Sequence, residues 1–81
     1  MTLIEYGRYQ KLSGKSPSLI YVWAGLAEEL GVSTSLVKLW ANGQRRVADL
    51  HVIPLERITA GDVPRYHTRP DIYPWNDYRG G

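Results

Sequence analysis

The sequence predicts an all-α domain, a small bundle of four to five helices followed by an extended, proline-rich C-terminal tail. Three observations predict it. Trp23 to Gly43 reads as two helices joined by a tight turn at Gly31, with small Ala27 four residues before the glycine, Val37 six after it and Trp40 three further on. Steeply crossing helices need a small residue at the contact and apolar residues behind both, and the corner favours glycine because positive φ is cheap only there. Leu19, Ile20, Trp23, Leu26, Ala27 and Leu30 recur at three- and four-residue steps, the stripe of a helix buried on one side. Helix-start and helix-stop residues also punctuate the chain, from Thr2 and Glu5 through Ser33 and Gly43 to Gly61.

Taken in order, Thr2 and Glu5 have capping-box spacing and open a first helix over about Thr2 to Lys11, with Leu3, Ile4 and Leu12 as its apolar side and Gly7 as a weak point. Ser13, Gly14 and Ser16 mark a loop. Ser16-Pro17 reads as a helix entry, serine capping and proline in the first helical position, so the second helix is expected over Pro17 to Leu30. Alternatively, Leu19 to Trp23 forms a separate turn or strand-like piece, because Ile20, Tyr21 and Val22 favour extended backbone. Ser33 caps a third helix over Thr34 to Ala41, and Asn42-Gly43 ends it. Gln44 to Val47 is a basic loop.

Leu50 to Thr59 looks helical through Leu50, Ile53, Leu55 and Ile58, with the helix either starting near Pro54 or holding it in the first turn, since proline is not tolerated deep in a helix. Ala60-Gly61 closes it. From Asp62 the chain is broken by Pro64, Pro70 and Pro74, with Val63 to Thr68 open between a strand and a helical turn. The division expected is residues 1–61 as the helix-turn-helix domain and 62–81 as a tail for dimerisation or partner binding. Its aromatics, Tyr66, Tyr73, Trp75 and Tyr78, suit core cover, a dimer interface or a partner-binding patch.

Composition narrows the function classes. Eighty-one residues with 43% apolar content make one small globular domain. The absence of cysteine removes disulfides and thiolate metal sites and fits a cytoplasmic protein. The longest apolar run, Leu19 to Leu26, is far short of a membrane span and lacks the flanks of a secretory signal. His51 and His67 are a weak metal case, and neither a nucleophile–base constellation nor a phosphate-cradling glycine loop is present, so no enzyme, metal or cofactor is expected.

A net charge of +2 says little, but its distribution says more: between Leu30 and Ala48 the charged residues are Lys38, Arg45 and Arg46, with no acid among them. Beside a helix-turn-helix, that suits an edge facing phosphate. Residues at the front of the second helix of such a motif face base edges in the major groove, which nominates Ser33, Thr34, Ser35, Lys38 and Leu39 for base contact. Lys38 is the strongest of them, a donor to guanine O6 and N7. Gln44, Arg45 and Arg46 are nominated for phosphate, while Ala27, Gly31, Val37 and Trp40 are the packed centre of the motif. Trp23 stands where many such motifs carry a phosphate-touching polar residue, and is read as core.

The chain resembles Cro-type phage repressors of the lambda-repressor-like helix-turn-helix family, nearest the all-helical branch and the YdaS-type prophage regulators. The opening Met1 to Tyr6 resembles the first helix of such repressors, and Gly43 with Arg45-Arg46-Val47 resembles their GRRPV-like segment. Leu55-Glu56-Arg57-Ile58-Thr59 followed by Arg69-Pro70-Asp71-Ile72 is similar to their IERAT…LRPD signature. The chain departs from the pattern at Ala48, where the family has proline, and at His67-Thr68, where it has Asp-Leu. The resemblance implies a repressor that binds double-stranded operator DNA as a homodimer, with half-sites about 34 Å apart. The alternative is an antitoxin-like or anti-repressor protein whose tail binds a protein partner.

Overall fold

The computed structural model describes residues 1–74; Trp75 and Tyr78, two of the aromatics expected in the tail, lie outside the described residues. Five α-helices and no strand occur among them: α1 (Leu3–Leu12), α2 (Leu19–Leu30), α3 (Thr34–Ala41), α4 (Asp49–Ile58) and α5 (Arg65–Thr68). None is long and apolar enough to cross a membrane.

The Thr2–Glu5 capping box opens α1: the Glu5 carboxylate accepts the Thr2 amide at 2.7 Å and the Thr2 hydroxyl accepts the Glu5 amide at 3.4 Å. The bond from the Thr2 amide, above all, holds the Glu5 carboxyl below its ordinary pKa. Leu3 is buried and Ile4 packs against the core, but Leu12, expected on the apolar side, is 86% exposed. Gly7 is not merely a weak point. It is buried, and a Cβ there would overlap the indole of Trp23, so α1 and α2 approach as closely as they do because position 7 has no side chain.

The second helix begins two residues later than the Ser16-Pro17 entry predicts, with Ser18 at its N-cap. The amides of Lys15 and Ser16 both bond the Gln10 carbonyl, so Ser16 belongs to the end of α1 and cannot cap α2. Leu19 to Trp23 is continuous helix, which removes the strand-like alternative. Val22, Trp23, Leu26 and Ala27 face inward, whereas Ile20, expected in the stripe, is 51% exposed.

Pro54 lies inside α4, neither at its start nor in its first turn as expected. Proline lacks the N–H that would bond the carbonyl of Leu50. Leu50 is itself exposed, contrary to its expected place in the apolar pattern, while Val52 and Leu55, both fully buried, hold the helix down.

The first four helices close in one way. Gly14, Gly31 and Gly43 each take positive φ, and α4 ends the same way with Ala60 at φ 54°. After α3, for example, the Gln44 amide bonds Leu39 and the Gly43 amide bonds Trp40, the paired bonds of a Schellman motif.

Of the segment expected to be an extended tail, the described part folds onto the bundle. Val63 is 1% exposed, residues 65–68 resolve the strand-or-helix alternative as helix, and the Tyr73 hydroxyl donates to Asp49 at 3.1 Å. The repressor-like signature becomes two clamps here. Glu56 accepts from the Arg65 backbone amide at 2.8 Å and from its guanidinium at 2.6 Å. Thr59, buried, donates to the Leu55 carbonyl at 2.9 Å and accepts the Val63 amide at 3.1 Å.

Candidate nucleic-acid interface

α2 and α3 are joined by Gly31, Val32 and Ser33 alone. Gly31 turns the chain with φ 72°, and the Val32 amide returns to the Ala27 carbonyl at 3.0 Å. Ala27, Val37 and Trp40 are 3%, 0% and 6% exposed, so the corner is packed through the small residue of one helix and the large residues of the other. Ser33 starts α3 by accepting the Leu36 amide at 3.1 Å. Its acceptor oxygen is therefore engaged in capping, and its hydroxyl proton is what it can offer a ligand.

With Val37, Trp40 and Ala41 buried, the helical period fixes which residues of α3 point away. Ser35 and Lys38 are exposed; Thr34 and Leu39 are half-buried at the margins. Asn42, exposed and still helical in backbone at φ −82°, ψ −1°, continues the Ser35–Lys38 face one turn on. In the sequence Asn42 is legible only as a helix terminator; its spacing of four from Lys38 is the signal that places it on this face.

The basic loop is held against the end of α3, since the amides of Gln44 and Arg45 both bond the Leu39 carbonyl at 3.0 and 3.3 Å. Gln44, Arg45 and Arg46 are all exposed, while Val47 turns inward and is 6% exposed. The other half of the signature fixes this loop from below. Arg69 donates one guanidinium nitrogen to the Val47 carbonyl at 2.7 Å and two more to Asp71 at 3.0 and 2.9 Å. Arg46 stands 3.5 Å from the same Asp71 carboxylate, an exposed pair of the kind that contributes little to stability. Among the described residues, neither Lys38 nor Arg45 is in an ion pair. The surface thus presents hydroxyls and one ammonium on the helix, and an amide with two guanidinium groups just past it.

The Arg69 guanidinium, as hydrogen-bond partner, holds the Asp71 carboxyl down to about 2. The unfolded chain, with a carboxyl near 3.9, binds the proton first as pH falls. The clamp therefore stabilises fully above about pH 4, and this contribution is lost as the pH falls toward about 2. Asp71→Asn is expected to lower the urea midpoint at pH 7, with the gap from wild type closing as the pH is taken below about 4; a constant gap would remove the carboxylate from this role.

Neither the curated proteins nor the solved structures contain a significant match to the chain. A family model does match, over residues 23–76, a stretch that includes α2 from Trp23, the turn, α3, the basic loop and both halves of the clamp signature. The chain belongs to the family of small prophage-type proteins described as the bacterial toxin YdaS.

Proposed function

We propose that the chain is a sequence-specific DNA-binding transcriptional regulator, a Cro-like repressor that lays α3 in the major groove and binds a near-palindromic operator as a homodimer. The observation that carries this reading is the acid-free outer face of α3, polar on one side and pinned through Val37 and Trp40 on the other. Lys38 donates to guanine O6 and N7, Ser35 and Thr34 adapt to neighbouring bases, and Thr34 offers a methyl to thymine. Leu39 lies at the margin of the contact, and Ser33 gives its hydroxyl proton at the groove edge. Gln44, Arg45 and Arg46, with Asn42, grip phosphate and set the register, contributing affinity that weakens with salt. Glu28 and Glu29, on the outer face of α2, stay away from the DNA.

Lys38→Ala is expected to weaken binding to the operator about tenfold or more while changing binding to random DNA far less, measured by fluorescence anisotropy. Arg45→Ala should weaken both alike and reduce the slope of log affinity against log salt by about one. An equal loss on both DNAs for Lys38→Ala would contradict base reading.

The family's description as a toxin favours one further reading, in which the chain engages a protein partner through its C-terminal segment and reads DNA only for its own regulation. Deleting residues 73–81 separates the two. Partner binding lost with operator affinity retained supports the second, and dimerisation and DNA binding lost together support the first.

A further inference from the structure

We propose that the outer face of α2, together with the end of α1 beside it, is the surface on which a second copy of this chain docks, α2 lying antiparallel against its symmetry mate. The inference rests on the proposed two-fold regulator and names the surface that makes it two-fold.

Leu12, Tyr21 and Ile20 are 86%, 64% and 51% exposed, and among the described residues Tyr9, Leu50 and Ile72 are the other exposed large hydrophobics. The surface is not flat: one depression of about 280 Å³ lies between Arg8, Lys11, Leu12 and Leu19, and another of about 240 Å³ between Ile20, Tyr21 and Ala24. Projecting Leu12 and Tyr21 beside hollows of this kind is the relief that a self-complementary contact needs.

Charge identifies the occupant. Arg8 and Lys11 line the depression beside Leu19 at the start of α2. Lys15 follows in the connecting loop with its ammonium 5.6 Å from the Tyr9 ring centroid, and Glu28 and Glu29 occupy the last turn of α2. Among the described residues none of these five is in an ion pair. The two carboxylates sit at the negative end of the helix dipole, where anions are unfavourable, and α2 has no cation in its last turn to offset them. A two-fold axis passing near Ala24 sets the acidic end of each α2 against the basic end of its mate and brings Tyr21 opposite Glu28 of the second copy. One operation covers the apolar patch and supplies the missing cations. Ser35 and Lys38, exposed on α3, are not among the residues of this patch.

Sedimentation of the full chain without DNA tests this, so that a failure here leaves base reading by α3 standing. The wild type should form dimers. Ile20→Glu with Tyr21→Glu, both at exposed positions, should give monomers whose helical circular dichroism is unchanged. The charge-reversed pair Glu28→Lys with Glu29→Lys, and separately Lys11→Glu with Lys15→Glu, should each be monomeric, and mixing the two proteins should restore a one-to-one dimer. A wild type that is monomeric throughout a concentration series, a dimer indifferent to these substitutions, or a mixture that does not reassociate would overturn the proposal.

Discussion

Gly7→Ala is expected to destabilise the domain, although alanine is the better helix former. Propensity alone would add about 1 kcal/mol for this change in a helix interior. The added Cβ overlaps the Trp23 ring, and Trp23 is 3% exposed, held within the core rather than free to swing into solvent. Forcing atoms into a packed core costs about 1–3 kcal/mol, so the net effect is a loss, and a larger one for Gly7→Val. Gly25→Ala is the matched control: that glycine is also helical, its Cβ would meet nothing within 4 Å, and the substitution should stabilise by about 1 kcal/mol. Urea titration of dilute protein, followed by circular dichroism, should move the two midpoints in opposite directions. A shift of the same sign in both would remove the close approach of α1 to α2 from the account.

Thr59→Val is the second substitution with a large expected effect. It is nearly isosteric, so the shape of the core survives. The Val63 amide, buried behind Thr59 in a residue 1% exposed, loses its acceptor at 3.1 Å. An orphaned buried donor costs about 1–3 kcal/mol. Thr59→Ser keeps the hydroxyl and loses only a methyl, about 0.8 kcal/mol of burial. Stability should therefore fall in the order wild type, Ser, Val, and amide exchange at Val63 should accelerate in the Val protein alone. Val tolerated as well as Ser would mean that the hydroxyl does not join α4 to the segment after it.

Local signals are legible in the sequence, and long-range contacts are not. α3 is legible to the residue, because Ser33 and Asn42-Gly43 mark its ends and its apolar side has a single phase at Val37 and Trp40. The capping box at Thr2 and the glycine that turns each of the first three helices are local signals, readable without a partner. α2 is less so. Its first five residues are all apolar or aromatic, so several helical phases fit, and the one adopted buries Val22 and leaves Ile20 outside. Its start depends on a bond from Ser16 back to Gln10, which the Ser-Pro pair does not announce. Pro54 within α4 is tolerated because Val52 and Leu55 are fully buried, a tertiary effect that overrides a local preference. Gly7 has meaning only once Trp23, sixteen positions away, is known to lie against it.

The site divides similarly. The outer face of α3 follows from its inner face by periodicity, so Ser35 and Lys38 are readable from the sequence. The support beneath the basic loop is not, because Arg69 reaches the Val47 carbonyl across twenty-two positions. In the sequence, Arg69-Pro70-Asp71 is a family signature without a mechanism; in the fold it holds the loop that carries Arg45 and Arg46.

Selection of bound sequences from a random pool of duplex DNA tests the reading of α3 most directly. Enrichment of a palindromic motif with half-sites one helical turn apart, centred on guanine where Lys38 enters, is expected, with loss of that guanine preference for Lys38→Ala. A pool that emerges with its starting composition, or the same motif recovered by Lys38→Ala, would contradict that reading.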